Sequence, residues 1–142
     1  MKILAIDTSA TVASASLCED DEPIAVYSQK SGLTHSQTIL PMIRDLMRNT
    51  GMTIDDIDMM AVSAGPGSFT GVRIGISTIK GLAFGKNKIC VGVSTLEAMA
   101  WSIASFCIDA LVCPVMDARR GQLYTAVFKP YFHFCSAPPF PG

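Results

Sequence analysis

The stretch SAGPGSFTGVRIG, residues 63–75, decides how this chain is read. It ends an apolar run, DMMAVSAG, and opens a segment with helical spacing, so the order is strand, glycine turn, helix start. A turn of that kind presents free N–H groups and the positive end of a helix dipole, which favour an anion. Its spelling is not that of the well-known phosphate loops. G-x-G-x-x-G would need glycine where Thr70 stands, and no lysine is in register for G-x-x-x-x-G-K-[ST]. The other reading is that the glycines let another backbone come close. At about 100° per residue, Val72, Ile76, Ile79 and Ala83 form an apolar face for a sheet, while Gly71, Gly75, Thr78, Leu82 and Gly85 form a neighbouring small-residue strip. Each helical glycine costs about 0.5–1 kcal/mol relative to alanine, so Gly71, Gly75, Gly81 and Gly85 ask for a compensating contact. Packing on the chain's own first helix and packing on another molecule both remain open on spacing alone.

Working outward, KILAID, TVASASLCED and IAVYSQ read as three strands on short connections, the first ending in Asp7. From Thr34 to Asn49 the period changes. Ile39, Met42, Ile43 and Leu46 recur at helical spacing, Arg44, Asp45 and Arg48 face away, Gly51 offers a stop, and Pro41 lies in the opening turns or kinks the helix. TIDD, from Thr53, reads as a single helical turn. Ser68 is an N-cap for a second helix running to about Gly85, KICVGV is a further strand, and Ser94 with Glu97 spells a capping box for a third helix. DMMAVSAG has the continuous apolar character of a parallel strand, and strands alternating with helices indicate a doubly wound α/β layer structure. LVCPVMDARRGQLYTAVF repeats the plan of ILAIDTSATVASASL, with Asp117 in the place of Asp7, which suggests a duplicated domain. After Phe128 the run KPYFHFCSAPPFPG has neither period and reads as an irregular tail.

The 142 residues are 49% hydrophobic and 16% charged, enough for one full domain and part of another. A net charge of −1 with 11 basic and 12 acidic residues spread along the chain leaves no footprint for independent nucleic-acid binding. Five cysteines without a C-x-x-C pair point to reduced thiols, and no apolar run reaches membrane-spanning length, so a cytoplasmic location is expected. His35 and His133 have no ligand spacing between them, so no metal site is expected. Asp7 and Asp117 end strands, where open α/β sheets place ligands. Such a carboxylate either holds Mg²⁺ with a nucleotide phosphate or caps its own turn, and without a partner lysine or general base capping carries more weight. Ser9, Gly65 and Gly67 complete the candidate phosphate set.

ILAIDTS, THSQTILPMI, GPGSFTGVRIG running into GLAFG, VSTLEAMA and DARRGQLYTAVF together resemble the TsaB family, over residues 1 to about 128. The resemblance implies an actin-like, Hsp70-like and sugar-kinase-like (ribonuclease H-like) fold of two related lobes with a mixed, mostly parallel sheet. The first lobe would cover residues 1–108, and residues 109–142 would begin a second lobe that is only partly present. It further implies a noncatalytic scaffold in the threonylcarbamoyladenosine modification of tRNA adenosine 37, binding and activating the catalytic paralogue TsaD. An ATPase subunit of TsaE type would join, tRNA would be met only through the complex, and the chain alone would form a homodimer. No cofactor is expected to bind tightly, and ATP or ADP with Mg²⁺ would sit at the partner interface. The expected interface combines Ile39, Met42, Ile43 and Leu46 with Gly71, Gly75 and Thr78, which favours close approach of a partner helix as the use of the glycines. A leucine at Gly75 would then abolish pairing and leave the fold. The alternatives are a nucleotide-binding kinase-like enzyme using Asp7 and Asp117, or the peptidase implied by the family's glycoprotease label, for which no nucleophile or metal constellation is present.

Overall fold

A computed structural model describes residues 1–20, 22–30, 34–106 and 110–129. The expected irregular tail beyond Lys129, His133, Cys107 and Cys135 lie outside the described residues. The chain divides into two compact units, Met1–Thr95 and Leu96–Gly142. The expected lobe boundary at 108/109 falls later, among residues that are not described.

The first unit is a five-stranded sheet in the order β3-β2-β1-β4-β5, formed by β1 (Lys2–Asp7), β2 (Ala13–Glu19), β3 (Glu22–Gln29), β4 (Met59–Gly65) and β5 (Ile89–Ser94). β2 runs antiparallel to both neighbours, and β1, β4 and β5 are mutually parallel, so the sheet is mixed with β2 alone reversed. Register aligns the apolar set across the strands. Leu4 faces Leu17 and Met60, Ile6 faces Ala15 and Val62, and all six are buried. Because strand side chains alternate, that register gives one continuous apolar face.

Two helices cover this face, α1 (His35–Thr50) and α2 (Phe69–Ala83), and they also contact each other. Both therefore lie on one side of the sheet in this unit, where a doubly wound arrangement would have divided them. α1 starts at Thr34, whose backbone N–H donates to Gln37 Oε1 at 3.2 Å, and ends at Gly51 in the left-handed conformation, φ 68°. It runs through Pro41 without interruption. Ile39, Met42, Ile43 and Leu46 are all buried against the sheet, each side chain contributing about 1.5–3 kcal/mol by leaving water. The expected single turn appears as a 3-10 turn, Ile54–Asp56, anchored by Thr53 N–H donating to Asp56 Oδ2 at 2.7 Å. α2 ends two residues before Gly85, which takes φ +71°.

α3 (Thr95–Ser102) starts on the last residue of the first unit and continues into the second, in which β6 (Val115–Arg119) pairs antiparallel with β7 (Gln122–Thr125). Val112 and Phe128 extend that hairpin by one bridge. Among the described residues, no helix is long and apolar enough to cross a membrane.

Candidate functional site

The glycine turn packs on the connection between β1 and β2. Asp7 ends β1, and its Oδ1 accepts the Ser9 N–H at 2.7 Å, so the carboxylate holds its own turn. Thr8, fully buried, donates its hydroxyl to the Gly71 carbonyl at 2.8 Å. The Ser68 N–H donates to the Ser9 carbonyl at 2.7 Å, and Ser68 Oγ caps the helix by accepting the Gly71 N–H at 3.2 Å. Two of the donors that a phosphate at this helix start would use are thus already committed. Ser9 is 2% exposed, and its own hydroxyl is buried with no hydrogen-bond partner among the described residues. Asp117 repeats the Asp7 geometry in the other hairpin, its Oδ1 accepting the Arg119 N–H at 2.7 Å. The echo between the two strand–aspartate–hairpin segments therefore extends to the turn hydrogen bond.

This packing explains the glycines. A Cβ at Gly67 would lie 2.6 Å from the Ser9 carbonyl oxygen, one at Gly71 would collide with the Thr8 carbonyl oxygen, and one at Gly75 would lie 2.5 Å from Thr8 Oγ1 and 3.1 Å from Val62 Cγ2. Gly65 needs its freedom for a different reason, its φ of +104°. The close approach is real, but its partner is the backbone of this chain's own β1–β2 connection. Gly71 and Gly75 lie on the buried face of α2, against this connection, and a leucine at Gly75 would disrupt the fold itself. The buried face of α2 draws on both strips, Gly71 and Gly75 from one and Ile79 from the other.

The remaining expected interface residues divide in the same way. Ile39, Met42, Ile43 and Leu46 belong to the core and offer little outward surface. Thr78 is half-buried and lines a depression of about 620 Å³ between α1 and α2, together with Ser36, Leu40, Arg73, Ile74 and Leu82. A second depression of about 680 Å³ shares Leu40 and Leu82 with the first and continues along α1 past Ile43, Arg44 and Met47. Leu40 is half exposed, and Phe69 near the other end is 69% exposed with the Arg73 guanidinium 3.8 Å from its ring centroid. The result is an open apolar groove with cationic edges. Leu40 was the readable signal missed in the sequence, a leucine one position off the core stripe on an otherwise polar helix face. Thr8 had no comparable signal.

The titratable side chains singled out earlier have structural employment. His35 Nε2 is 2.7 Å from the Ala10 carbonyl oxygen, tying the start of α1 to the β1–β2 connection. Among the described residues, no three His, Cys, Asp or Glu side chains come together as a metal cluster.

A family model described as TsaD: tRNA N6-adenosine threonylcarbamoyltransferase matches residues 25–133. The chain belongs to this family. The resemblance to TsaB is borne out by curated relatives. The chain is 40% identical over 129 residues to the tRNA threonylcarbamoyladenosine biosynthesis protein TsaB of Escherichia coli, covering 91% of this chain and 55% of that one. It is 39% identical to the protein of the same name from Bacillus subtilis, covering 91% and 56%. A crystal structure described as an uncharacterized protein with similarity to peptidase YEAZ from Pseudomonas aeruginosa superimposes with a TM-score of 0.83 at 32% identity, over 92% of this chain and 60% of that one. The fold of this TsaB-like chain is thus the actin-like one expected. It spans about half the length of the curated relatives it matches.

Proposed function

We propose that this chain serves threonylcarbamoyladenosine biosynthesis on tRNA as a noncatalytic subunit that docks a TsaD-like catalytic paralogue through the α1–α2 groove. The groove is the observation that carries the reading. It is apolar, it lies on the helices of the first unit, and it leaves the half-exposed Leu40 between two depressions that a partner side chain can fill. Support for a noncatalytic role comes from the employment of the polar residues, since Asp7 and His35 are bound into the turn that α2 packs against. A TsaE-like ATPase subunit completes the assembly in this reading. With a net charge of −1, the chain would meet tRNA through the complex. ATP or ADP with Mg²⁺ belongs to the surface shared with the partner, because the Asp7 carboxylate is occupied with its own turn.

The test is size-exclusion chromatography with light scattering, on the chain alone and mixed with the catalytic paralogue of the same organism. Exchange of a homodimer for a one-to-one heterodimer is expected, with Leu40→Asp abolishing both. A heterodimer indifferent to Leu40→Asp would remove the groove from the interface.

A further inference from the structure

The charge around the groove is predominantly positive, and this bears on which partner it accepts. Resting on the docking reading above, we infer that the groove selects an acidic partner, an amphipathic helical surface whose apolar ridge is flanked by carboxylates, over a second copy of this chain. Arg44 and Arg48 stand on the α1 edge with side chains 75% and 70% exposed. On the α2 edge Arg73 lines the groove, and Lys80 follows seven residues later on the same side of the helix. Among the described residues, neither Arg73 nor Lys80 joins an ion pair. Asp45 is the one carboxylate set among these four cations, 3.2 Å from Arg48 and 3.9 Å from Arg44. At the far end Asp55 and Asp56 are matched by Lys86 and Lys88, with Lys86 Nζ 2.6 Å from Asp55 Oδ1 and Lys88 Nζ donating to the Asp55 carbonyl. The groove edges therefore keep a positive excess in a chain whose net charge is −1.

Stacking of Arg73 on the Phe69 ring holds its guanidinium at the rim, so a carboxylate meeting it finds a donor already in place. A symmetric pair of identical chains would set the same positive edge against itself, because a two-fold interface uses one patch twice. Both partners can fill the apolar floor, so charge is what separates them, and it acts with opposite sign in the two complexes.

The experiment measures heterodimer affinity by calorimetry and self-association by sedimentation, on the full chain and purified catalytic paralogue. Between about 50 mM and about 500 mM salt, screening should weaken the heterodimer about tenfold and tighten the homodimer. Arg73→Glu with Arg44→Glu should weaken the heterodimer at least as much, remove most of its salt dependence and favour self-association. Both side chains are exposed, and unchanged thermal midpoints confirm that these variants fold. A heterodimer insensitive to salt and to both arginine substitutions, yet lost on Leu40→Asp, overturns the charge inference and leaves the docking reading standing. A heterodimer insensitive to Leu40→Asp as well overturns both.

Discussion

A methyl group added to Gly71 would collide with the Thr8 carbonyl oxygen and push against the hydrogen bond from Thr8 Oγ1 to the Gly71 carbonyl. Backbone cannot yield as a flexible side chain does, so Gly71→Ala should destabilise the protein by about 2–3 kcal/mol or more. Gly81 makes the control, since a Cβ there meets nothing within 4 Å and its φ is not in the left-handed region. Gly81→Ala should stabilise the fold by about 0.5–1 kcal/mol, as expected for a glycine removed from a helix interior. Thr8→Val, which keeps the shape and removes the buried donor, should cost about 1–2 kcal/mol. Urea titrations of the three variants check these values, and equal effects at positions 71 and 81 would contradict the packing described. The contrast was invisible in the sequence. The three glycines within α2 carry the same propensity penalty, and only tertiary contact tells which of them another backbone requires.

At the scale of elements, local signals were mostly sufficient. Ser68 and Gly51 mark helix ends, the Thr53 turn follows its TIDD spelling, and the alternation in β1 and β2 matches the buried register. What periodicity leaves open is which neighbour each strip of α2 meets. The apolar strip and the glycine strip are adjacent, and the choice between them was made by the β1–β2 connection, which is distant in sequence and reads as an ordinary turn. The Thr53 turn carries a pH prediction. The Thr53 N–H and hydroxyl both donate to Asp56 and hold its carboxyl below the usual carboxylate range. A carboxyl depressed on folding adds stability above its unfolded pKa, and that stability is lost as pH falls through the folded value. The urea midpoint should therefore decline on acidification through the carboxylate range, with a shallower decline in Asp56→Asn. Equal slopes for the two proteins would show that this turn contributes nothing to the acid sensitivity.

For the whole molecule, the relevant fact is where the core lies. The buried cluster that joins β1, β2 and β4 to α1 and α2 falls entirely within Met1–Thr95, as do both walls of the groove. The family resemblance implied a first lobe covering residues 1–108. The first compact unit closes at Thr95, one residue after β5. A fragment of residues 1–95 should then unfold in one cooperative urea transition, since a single core couples its elements. It should also bind the catalytic paralogue within about threefold of the full chain, because the proposed contact surface is complete in it. Circular dichroism and calorimetry on the fragment test the two statements separately. A broad, noncooperative transition would mean that residues after Thr95 supply part of the core stability. Cooperative folding with lost binding would instead place part of the docking surface in the second unit.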